Sequence, residues 1–325
     1  MIYFFYGDEE FNISSEIKKL KDKLDKNFIQ MAYKEISNPK FPDLIAAVLS
    51  QPMMFGRMLI VIDCIKYFKS KSDDEGGFDD KELKQLEDAL ENHNENLDIV
   101  FRACIDNDGK KKAGVDKRKK IFKILSKYNA QEFIQIPSYK TEELEAWIKN
   151  QAKKHDLKIE NDAVSHLLLQ VGSNLRLLNS ELEKLKVYVK DKSVTKDIVK
   201  EICVNNDDLF AFVDYLSSGD LAKALNEYQK LLMAKHPLAI LSVLHTMLHS
   251  KIQIKANSLQ YSPDEIAKMI NMHPYRVKLE MGKLKNISLK ALVKLKENLT
   301  EAEYRIKTGK TSLPPEREVE YALLR

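Results

Sequence analysis

The sequence predicts an α/β domain at the N-terminus and an all-helical remainder, and three observations lead to this fold class. The first 137 residues alternate short apolar runs with amphipathic segments, which is typical of a parallel sheet with helices on both faces. After Pro137 every periodic segment has helical spacing. A chain of 325 residues is long enough for two or three domains.

In the first region, five apolar runs are predicted to be the strands of one sheet, at 2–6, 28–36, 58–62, 97–104 and 132–136. Apolar residues recur at helical spacing in the segments between them, so helices are expected at 9–24, 43–49, 81–92 and 118–127. The run MLIVI at 58–62 is apolar throughout, which favours a strand that is buried on both faces.

In the second region, helical periodicity falls into two groups. The first group covers 141–155, 161–171, 175–189 and 195–202, and the second runs from Leu209 to the C-terminus with breaks at Gly or Pro. The polar run NNDD at 205–208 separates them. We therefore predict three domains, with the ranges 1–139, 140–206 and 207–325.

Composition narrows the class of protein. The 53 basic and 49 acidic residues give a formal charge of +4, an excess too small to indicate nucleic-acid binding by itself. No run approaches the ~20 apolar residues of a membrane span, and the N-terminus lacks the basic start of a signal peptide. Cys64, Cys104 and Cys203 stand far apart among apolar neighbours, which favours buried thiols over disulfides or a metal site. We expect a cytoplasmic protein without a membrane partner.

The turn after the first strand is predicted to bind no nucleotide. A phosphate loop there requires G-x-x-x-x-G-K-[ST], whereas Gly7 is followed by DEEFNIS, with neither a second Gly nor the Lys-Ser/Thr pair. The acids at 8–10 would repel a triphosphate, and they also suit a helix N-terminus. Gly109–Gly114 has the four-residue spacing but lacks the following Lys-Ser/Thr pair. We expect no catalytic site and no cofactor.

Two further patterns have a structural and a functional interpretation. His245 and His249 have the i, i+4 spacing of a zinc motif, but Thr246 stands where the motif needs Glu, so packing or surface histidines are favoured. Residues 262–284 have the pattern of a helix-turn-helix: a capped helix, a turn and a basic second helix. Helix packing is the favoured interpretation of this segment, and DNA binding is the alternative.

The densest basic cluster lies just before and within the predicted helix 118–127. Its members are Lys110, Lys111, Lys112, Lys117, Arg118, Lys119 and Lys120. Two interpretations stay open: a solvated surface, or a contact with DNA phosphates that would make binding salt-dependent.

Three large apolar residues, Met53, Met54 and Phe55, are predicted to lie on a loop. Pro52 should end the preceding helix, and Gly56 precedes the MLIVI strand. Three such side chains in a row cannot easily all turn inward. They either cover the edge of the sheet or anchor a partner protein in an apolar pocket.

Five segments, in this order, resemble the delta-subunit family of the bacterial DNA polymerase III clamp loader. They are IYFFYGDEEFNI, LSQPMMFGRMLIVID, DKRKKIFKIL, NLRLLNSELEKLKVYV and AEYRIKTGK. The resemblance covers the whole length and the domain order. It implies an AAA+-like first domain without Walker motifs, a small helical lid domain and a helical collar domain that joins a five-subunit ring.

The resemblance also implies partners and site residues. The family's delta subunit grips the sliding clamp (the beta subunit) and opens or holds open one clamp interface, while its collar meets the ATPase subunits (gamma/tau) and delta-prime around primer-template DNA. A glutamine followed by a hydrophobic–Phe pair makes the grip, which carries over to Gln51, Met54 and Phe55 with Met53 beside them. This chain has Met54 where many relatives carry Leu.

Arg176 resembles the arginine with which an active AAA+ lid senses nucleotide, and we expect it to be a remnant or a structural charge. Two alternative functions remain at this stage, a degenerate AAA+ ATPase and a DNA-binding regulator that uses residues 262–284.

Overall fold

The structure is a computed structural model that describes residues 1–52, 56–68, 78–105, 115–190, 193–203, 207–233 and 235–325, with the backbone alone at 207–210. The chain forms two compact units, Met1–Gln135 and Ile136–Arg325. The division of the second unit into the domains 140–206 and 207–325 stays a prediction.

The first unit contains a parallel five-stranded sheet in the order β2-β3-β4-β1-β5. Its strands are β1 Ile2–Gly7, β2 Tyr33–Ser37, β3 Met58–Asp63, β4 Leu97–Cys104 and β5 Asn129–Phe133. Because every pair is parallel, the strands begin along one edge of the sheet, here called the N-terminal edge, and end along the opposite C-terminal edge. The parallel sheet expected from the sequence is confirmed.

Helices cover both faces of this sheet. They are α1 Glu10–Lys21, α2 Ile29–Ala32, α3 Phe41–Val48, α4 Asp80–Glu91 and α5 Lys120–Leu125. Successive strand residues point to opposite faces, so Ile60 joins one apolar cluster with α3, α4 and α5, while Leu59 joins another with α1. Each fully buried aliphatic side chain stabilises the folded state by about 1.5–3 kcal/mol relative to the same side chain in water.

Two strand boundaries differ from the prediction. The segment 28–36 is a strand only from Tyr33 onward, because the Asp25 carboxylate accepts the Asn27 amide at 2.9 Å and starts a helical turn that leads into α2. The last strand runs over Asn129–Phe133 rather than 132–136, since Asn129 pairs with Tyr3 and Phe133 with Gly7, the last residue of β1.

The second unit is helical, as predicted. Its helices are α6 Thr141–Lys154, α7 Asn161–Val171, α8 Leu175–Val189, α9 Lys196–Ile202, α10 Asp207–Ser218, α11 Leu221–Leu232, α12 Pro237–Asn257, α13 Pro263–Ile270, α14 Pro274–Lys283, α15 Leu289–Thr308 and α16 Pro315–Leu324. Several begin with proline, whose missing N–H costs nothing in a first turn. Within the described ranges, no helix is long and apolar enough to cross a bilayer.

Candidate functional site

The turn after β1, at the C-terminal edge, is occupied by the chain's own backbone. The amides of Asp8 and Glu9 both donate to the Phe133 carbonyl oxygen, at 3.0 and 3.2 Å. In a phosphate loop, amides at this place point at the nucleotide. Gly7 has φ +135°, and a Cβ there would lie 1.9 Å from the same carbonyl oxygen. The turn therefore uses its first amides to join β1 to β5.

Two of the three acids of this turn, Glu9 and Glu10, make their contacts at the start of α1, and the third binds the segment after β5. Glu9 is buried, and its carboxylate accepts the Phe11 amide at 3.2 Å as the helix N-cap. The Asp8 carboxylate accepts the Gln135 amide at 2.8 Å, and Glu10 accepts the Ser14 hydroxyl at 3.1 Å. The geometry supports the helix-start interpretation for Glu9 and Glu10, and the absence of nucleotide binding stays a prediction.

The opposite, N-terminal edge carries the segment that the sequence marked for partner binding. β1 has six residues, so the two edges lie about 20 Å apart. Gln51 follows the end of α3 and is exposed. Its Oε1 accepts a hydrogen bond from Asn94 Nδ2 at 2.6 Å. Gln51, the member of the proposed grip that lies within the described residues, is thus attached to the turn before β4.

The other end of this segment is attached to the same turn. The Arg57 guanidinium donates twice to the Asp98 carboxylate, at 3.2 and 3.3 Å, and the Met58 amide donates to the Asn96 carbonyl at 3.0 Å. Asp98 is only 5% exposed and also lies 3.0 Å from the Met1 amine. Residues Asn94–Asp98, which comprise the turn before β4 and the first two residues of that strand and are here called the 94–98 turn, therefore hold both ends of the connection between Gln51 and Arg57.

Met53, Met54 and Phe55 lie outside the described residues, so their assignment stays a prediction. On one side of them Leu49 is 45% exposed at the C-terminus of α3. On the other, Gly56 has φ +77° with open space around it, a backbone conformation that glycine adopts without strain.

The basic cluster is described only in part, because residues 106–114, which include Lys110–Lys112 and the whole Gly109–Gly114 spacing, lie outside the described residues. The four described cations engage groups of the chain itself: Lys117 with Glu132 at 2.8 Å, Arg118 with Asp116 at 2.9 Å, Lys119 with the Tyr67 carbonyl at 3.0 Å and Lys120 with Asp80 at 2.6 Å. Hydrogen bonds from Arg118 lower the pKa of Asp116 to about 2. Exposed ion pairs contribute little to the free energy of folding, so phosphates can compete for the cations that make them. The DNA contact stays a prediction.

The helix-turn-helix-like segment 262–284 forms α13 and α14, joined through Asn271 at φ 51°. Ser262 and Glu265 make a capping box at its start. Ile266 and Val277 are fully buried in the core of the second unit, while Tyr275 is 57% exposed. This geometry supports the packing interpretation, and DNA binding by this segment stays the alternative.

The histidine pair does not converge on a shared ligand. His245 Nε2 lies 3.1 Å from a Glu303 carboxylate oxygen, and His249 is exposed. Burial lowers the pKa of His245. Across the described ranges, no group of three His, Cys, Asp or Glu residues is arranged to hold a metal ion. Arg176 is exposed in the first turn of α8, just after the Asn174 cap.

One ionic cluster was missed by sequence reasoning. Lys251 of α12 is 4% exposed, and its Nζ lies 2.8 Å from Asp214 of α10 and 2.5 Å from Glu280 of α14. Burial would raise the pKa of Asp214, but hydrogen bonds from Lys251 and Lys283 outweigh it and lower the pKa. The cluster joins three helices and borders a cavity of about 260 Å³ that is also lined by Arg276.

A signal for this cluster was present in the sequence. Lys251 follows Leu244 and Leu248 at helical spacing, so it stands on the buried stripe of α12. A cation on such a stripe requires a buried acid, although the sequence alone does not name the acid.

Comparisons with known proteins agree over most of the chain. The model of the DNA polymerase III delta subunit matches residues 3–134, that of its C-terminal domain matches 206–325, and one described as a middle domain matches 140–201. DNA polymerase III subunit delta of Bacillus subtilis (strain 168) is 23% identical over 318 residues, which cover 95% of this chain and 88% of that protein.

A second relative and a solved structure point the same way. Probable DNA polymerase III subunit delta of Aquifex aeolicus (strain VF5) is 28% identical over 252 residues, covering 75% of this chain and 67% of that protein. The solved structure of the Bacillus subtilis DNA clamp loader delta protein (YqeN) matches with a TM-score of 0.68 at 22% identity, covering 99% of this chain and 94% of that one. The two chains share a fold.

Proposed function

The chain belongs to the family of DNA polymerase III delta subunits, and we propose that it acts in a clamp loader as the subunit that binds the sliding clamp and opens or holds open one clamp interface. The observation that carries the binding part is the connection between Gln51 and Arg57. It has the glutamine and hydrophobic–Phe sequence of the family grip, and both of its ends are held by the 94–98 turn.

The proposed mechanism is mechanical. Met54 and Phe55 enter an apolar pocket on the clamp, with Gln51 and Met53 beside them, in the usual form of an interface hot spot. A partner shifts an equilibrium only by its differential affinity for the two states. The subunit must therefore bind an open or strained clamp more tightly than a closed one, and each tenfold difference supplies about 1.4 kcal/mol toward opening.

We further propose that this chain has no ATPase site of its own and that partner subunits hydrolyse ATP. The support is the turn after β1, where the amides of Asp8 and Glu9 bind the Phe133 carbonyl and the Lys-Ser/Thr pair is missing. The collar, 207–325, would assemble with the gamma/tau and delta-prime subunits. The site of action would be the cytoplasm.

Contact with primer-template DNA is proposed for the basic cluster as a secondary role. If its seven cations meet phosphates, DNA retention by the assembled loader should fall more gently with salt after they are replaced by glutamine. An unchanged salt slope would remove the cluster from the DNA interface.

The test of the main proposal is a titration of fluorescently labelled sliding clamp with the full chain. Met54→Ala/Phe55→Ala should weaken clamp binding at least about thirtyfold, because a hot-spot side chain is worth 2 kcal/mol or more. Ile134→Ala is the matched control: it removes an apolar side chain that is 65% exposed just beyond β5, at the opposite edge of the sheet. Its clamp affinity should equal that of the unaltered chain.

Two results would count against the proposal. Undiminished clamp binding by the double variant would remove the site assignment. Binding of labelled ATP to the isolated chain with micromolar affinity would contradict the assignment of ATP hydrolysis to its partners.

A further inference from the structure

We infer that the 94–98 turn is a positioning element for clamp binding, in which Asn94 orients Gln51 and Asp98 anchors Arg57. The inference rests on the proposed function and adds residues that lie about 40 positions further along the chain than the grip itself. None of the five segments that resemble the delta family includes this turn.

The first attachment sets which end of the Gln51 amide faces outward. Asn94 is itself fixed, because its Oδ1 accepts the Asn96 amide at 2.9 Å and its carbonyl accepts the Leu97 amide at 2.9 Å. With its oxygen engaged, Asn94 presents Nδ2 to Gln51, so Gln51 must offer Oε1 in return. The Gln51 amide nitrogen is then the end that is available to donate to a carbonyl or carboxylate oxygen of the clamp.

The second attachment fixes the point where the chain enters β3. Asp98 is buried, and a buried carboxylate needs compensating charge. Arg57 and the Met1 amine both supply it, and the two parallel N–H donors of Arg57 define the orientation of its guanidinium as well as its distance. The Met58 amide, one residue further, is bonded to the Asn96 carbonyl. The backbone at Arg57 is thus held from both its side chain and its neighbour.

Fixed ends matter because ordering a binding segment costs conformational entropy that is otherwise taken from the affinity. Gln51 and Arg57 are both attached to the 94–98 turn, so part of the ordering of their side chains is already in place before the clamp binds. Asn94 and Asp98 then raise clamp affinity without touching the clamp, by acting through Gln51 and Arg57.

The first experiment is a double-mutant cycle on clamp affinity. Asn94→Ala should weaken clamp binding by about two- to tenfold, the range that corresponds to one net hydrogen bond. In a Gln51→Ala background, the same substitution should have a much smaller effect, because its direct contact with the grip, the bond to Gln51, has been removed. Asn92→Ala is the matched control: the Asn92 side chain bonds the Asp88 carbonyl of its own helix, and its loss should leave clamp affinity unchanged.

The second experiment probes the Arg57 end, where substitution of the exposed partner avoids leaving a cavity. Clamp affinity should fall in the order unaltered chain, Arg57→Lys, Arg57→Ala, since lysine keeps the charge but loses the paired geometry. Thermal unfolding of each variant separates this effect from general destabilisation.

The outcomes distinguish this inference from the proposed function. If Met54→Ala/Phe55→Ala abolishes clamp binding while Asn94→Ala binds like the unaltered chain, or loses the same affinity with and without Gln51, the positioning role is wrong and the clamp-binding function stands. If the unaltered chain does not bind the clamp, the function is overturned and the inference with it.

Discussion

The close approach of Gly7 to Phe133 makes Gly7→Ala a demanding test of the first unit. The substitution would place a methyl group 1.9 Å from the Phe133 carbonyl oxygen and 2.7 Å from its carbonyl carbon. Both are backbone atoms of β5, so no side-chain rotation relieves the overlap. Either the end of β5 moves away from β1, or Gly7 leaves its φ of +135°.

The magnitude follows from two contributions. A non-glycine residue in this backbone region costs about 1–3 kcal/mol. Moving β5 away also weakens the two hydrogen bonds from Asp8 and Glu9 to the Phe133 carbonyl, each worth about 0.5–1.5 kcal/mol. We therefore expect a loss of about 2–6 kcal/mol, a large part of the 5–15 kcal/mol that holds an ordinary domain.

The assay is urea unfolding of the full chain, read by far-ultraviolet circular dichroism and by hydrogen exchange of the β1 and β5 amides. Gly56→Ala is the matched control within the same unit: Gly56 also has positive φ, +77°, but a Cβ there meets nothing within 4 Å. It should cost about 1 kcal/mol. The chain's one tryptophan, Trp147, lies in the second unit and reports that unit separately.

We expect Gly7→Ala to be clearly more destabilising than Gly56→Ala, and hydrogen exchange to accelerate in β1 and β5. Equal losses for the two variants would refute this expectation, because backbone strain without close approach would then account for both. A shift confined to the Trp147 signal would also contradict it.

Two further predictions concern the second unit. Lys251→Met should lower the free energy of unfolding of the second unit by about 3–5 kcal/mol, because the buried carboxylate of Glu280 loses its nearest cation. Lys255→Met is the control on the same helix: it removes bonds to backbone carbonyls and should cost less than half as much. Urea unfolding followed by Trp147 fluorescence measures both. Burial lowers the pKa of His273, whose Nδ1 accepts the Tyr275 amide at 3.2 Å as a helix cap. A lowered pKa means that the unfolded state binds the proton more readily than the folded state. The stability that neutral His273 contributes is therefore complete above about pH 6.5 and is lost as the pH falls through the folded pKa. His273→Asn, which keeps a cap acceptor, should flatten the dependence of unfolding free energy on pH between about pH 7.5 and 5.5, and an unchanged dependence would exclude His273 as its cause.

Local patterns were sufficient for the sheet but not for all of its boundaries. The runs at 58–62 and 97–104 are apolar without alternation, and burial on both faces of a parallel sheet is what such runs require. The prediction of a strand over 28–36 was wrong before Tyr33. The apolar content of this segment suits a strand, but the cap at Asp25 starts a helical turn that a periodicity count does not detect.

The candidate site likewise has one part that the sequence shows directly and another part that it does not show. The apolar grip at 53–55 and the missing Lys-Ser/Thr pair after Gly7 are runs of adjacent residues, so the sequence displays them directly. The turn that holds the grip is not visible there, because Gln51 and Asn94 are 43 positions apart and neither residue type signals the other.

The sequence by itself therefore determined the parallel α/β domain, the helical remainder, the absence of a phosphate-loop motif and the family resemblance, since each depends on periodicity or on short ordered segments. Only the tertiary structure decided that the Phe133 carbonyl takes the amides of the turn after β1, that Asn94 and Asp98 hold the ends of the grip, and that Lys251 meets its acids. The physical reason is that a hydrogen bond depends on distances of about 3 Å between specific atoms. Residues far apart in the chain reach such distances only when the packing of whole strands and helices brings them there.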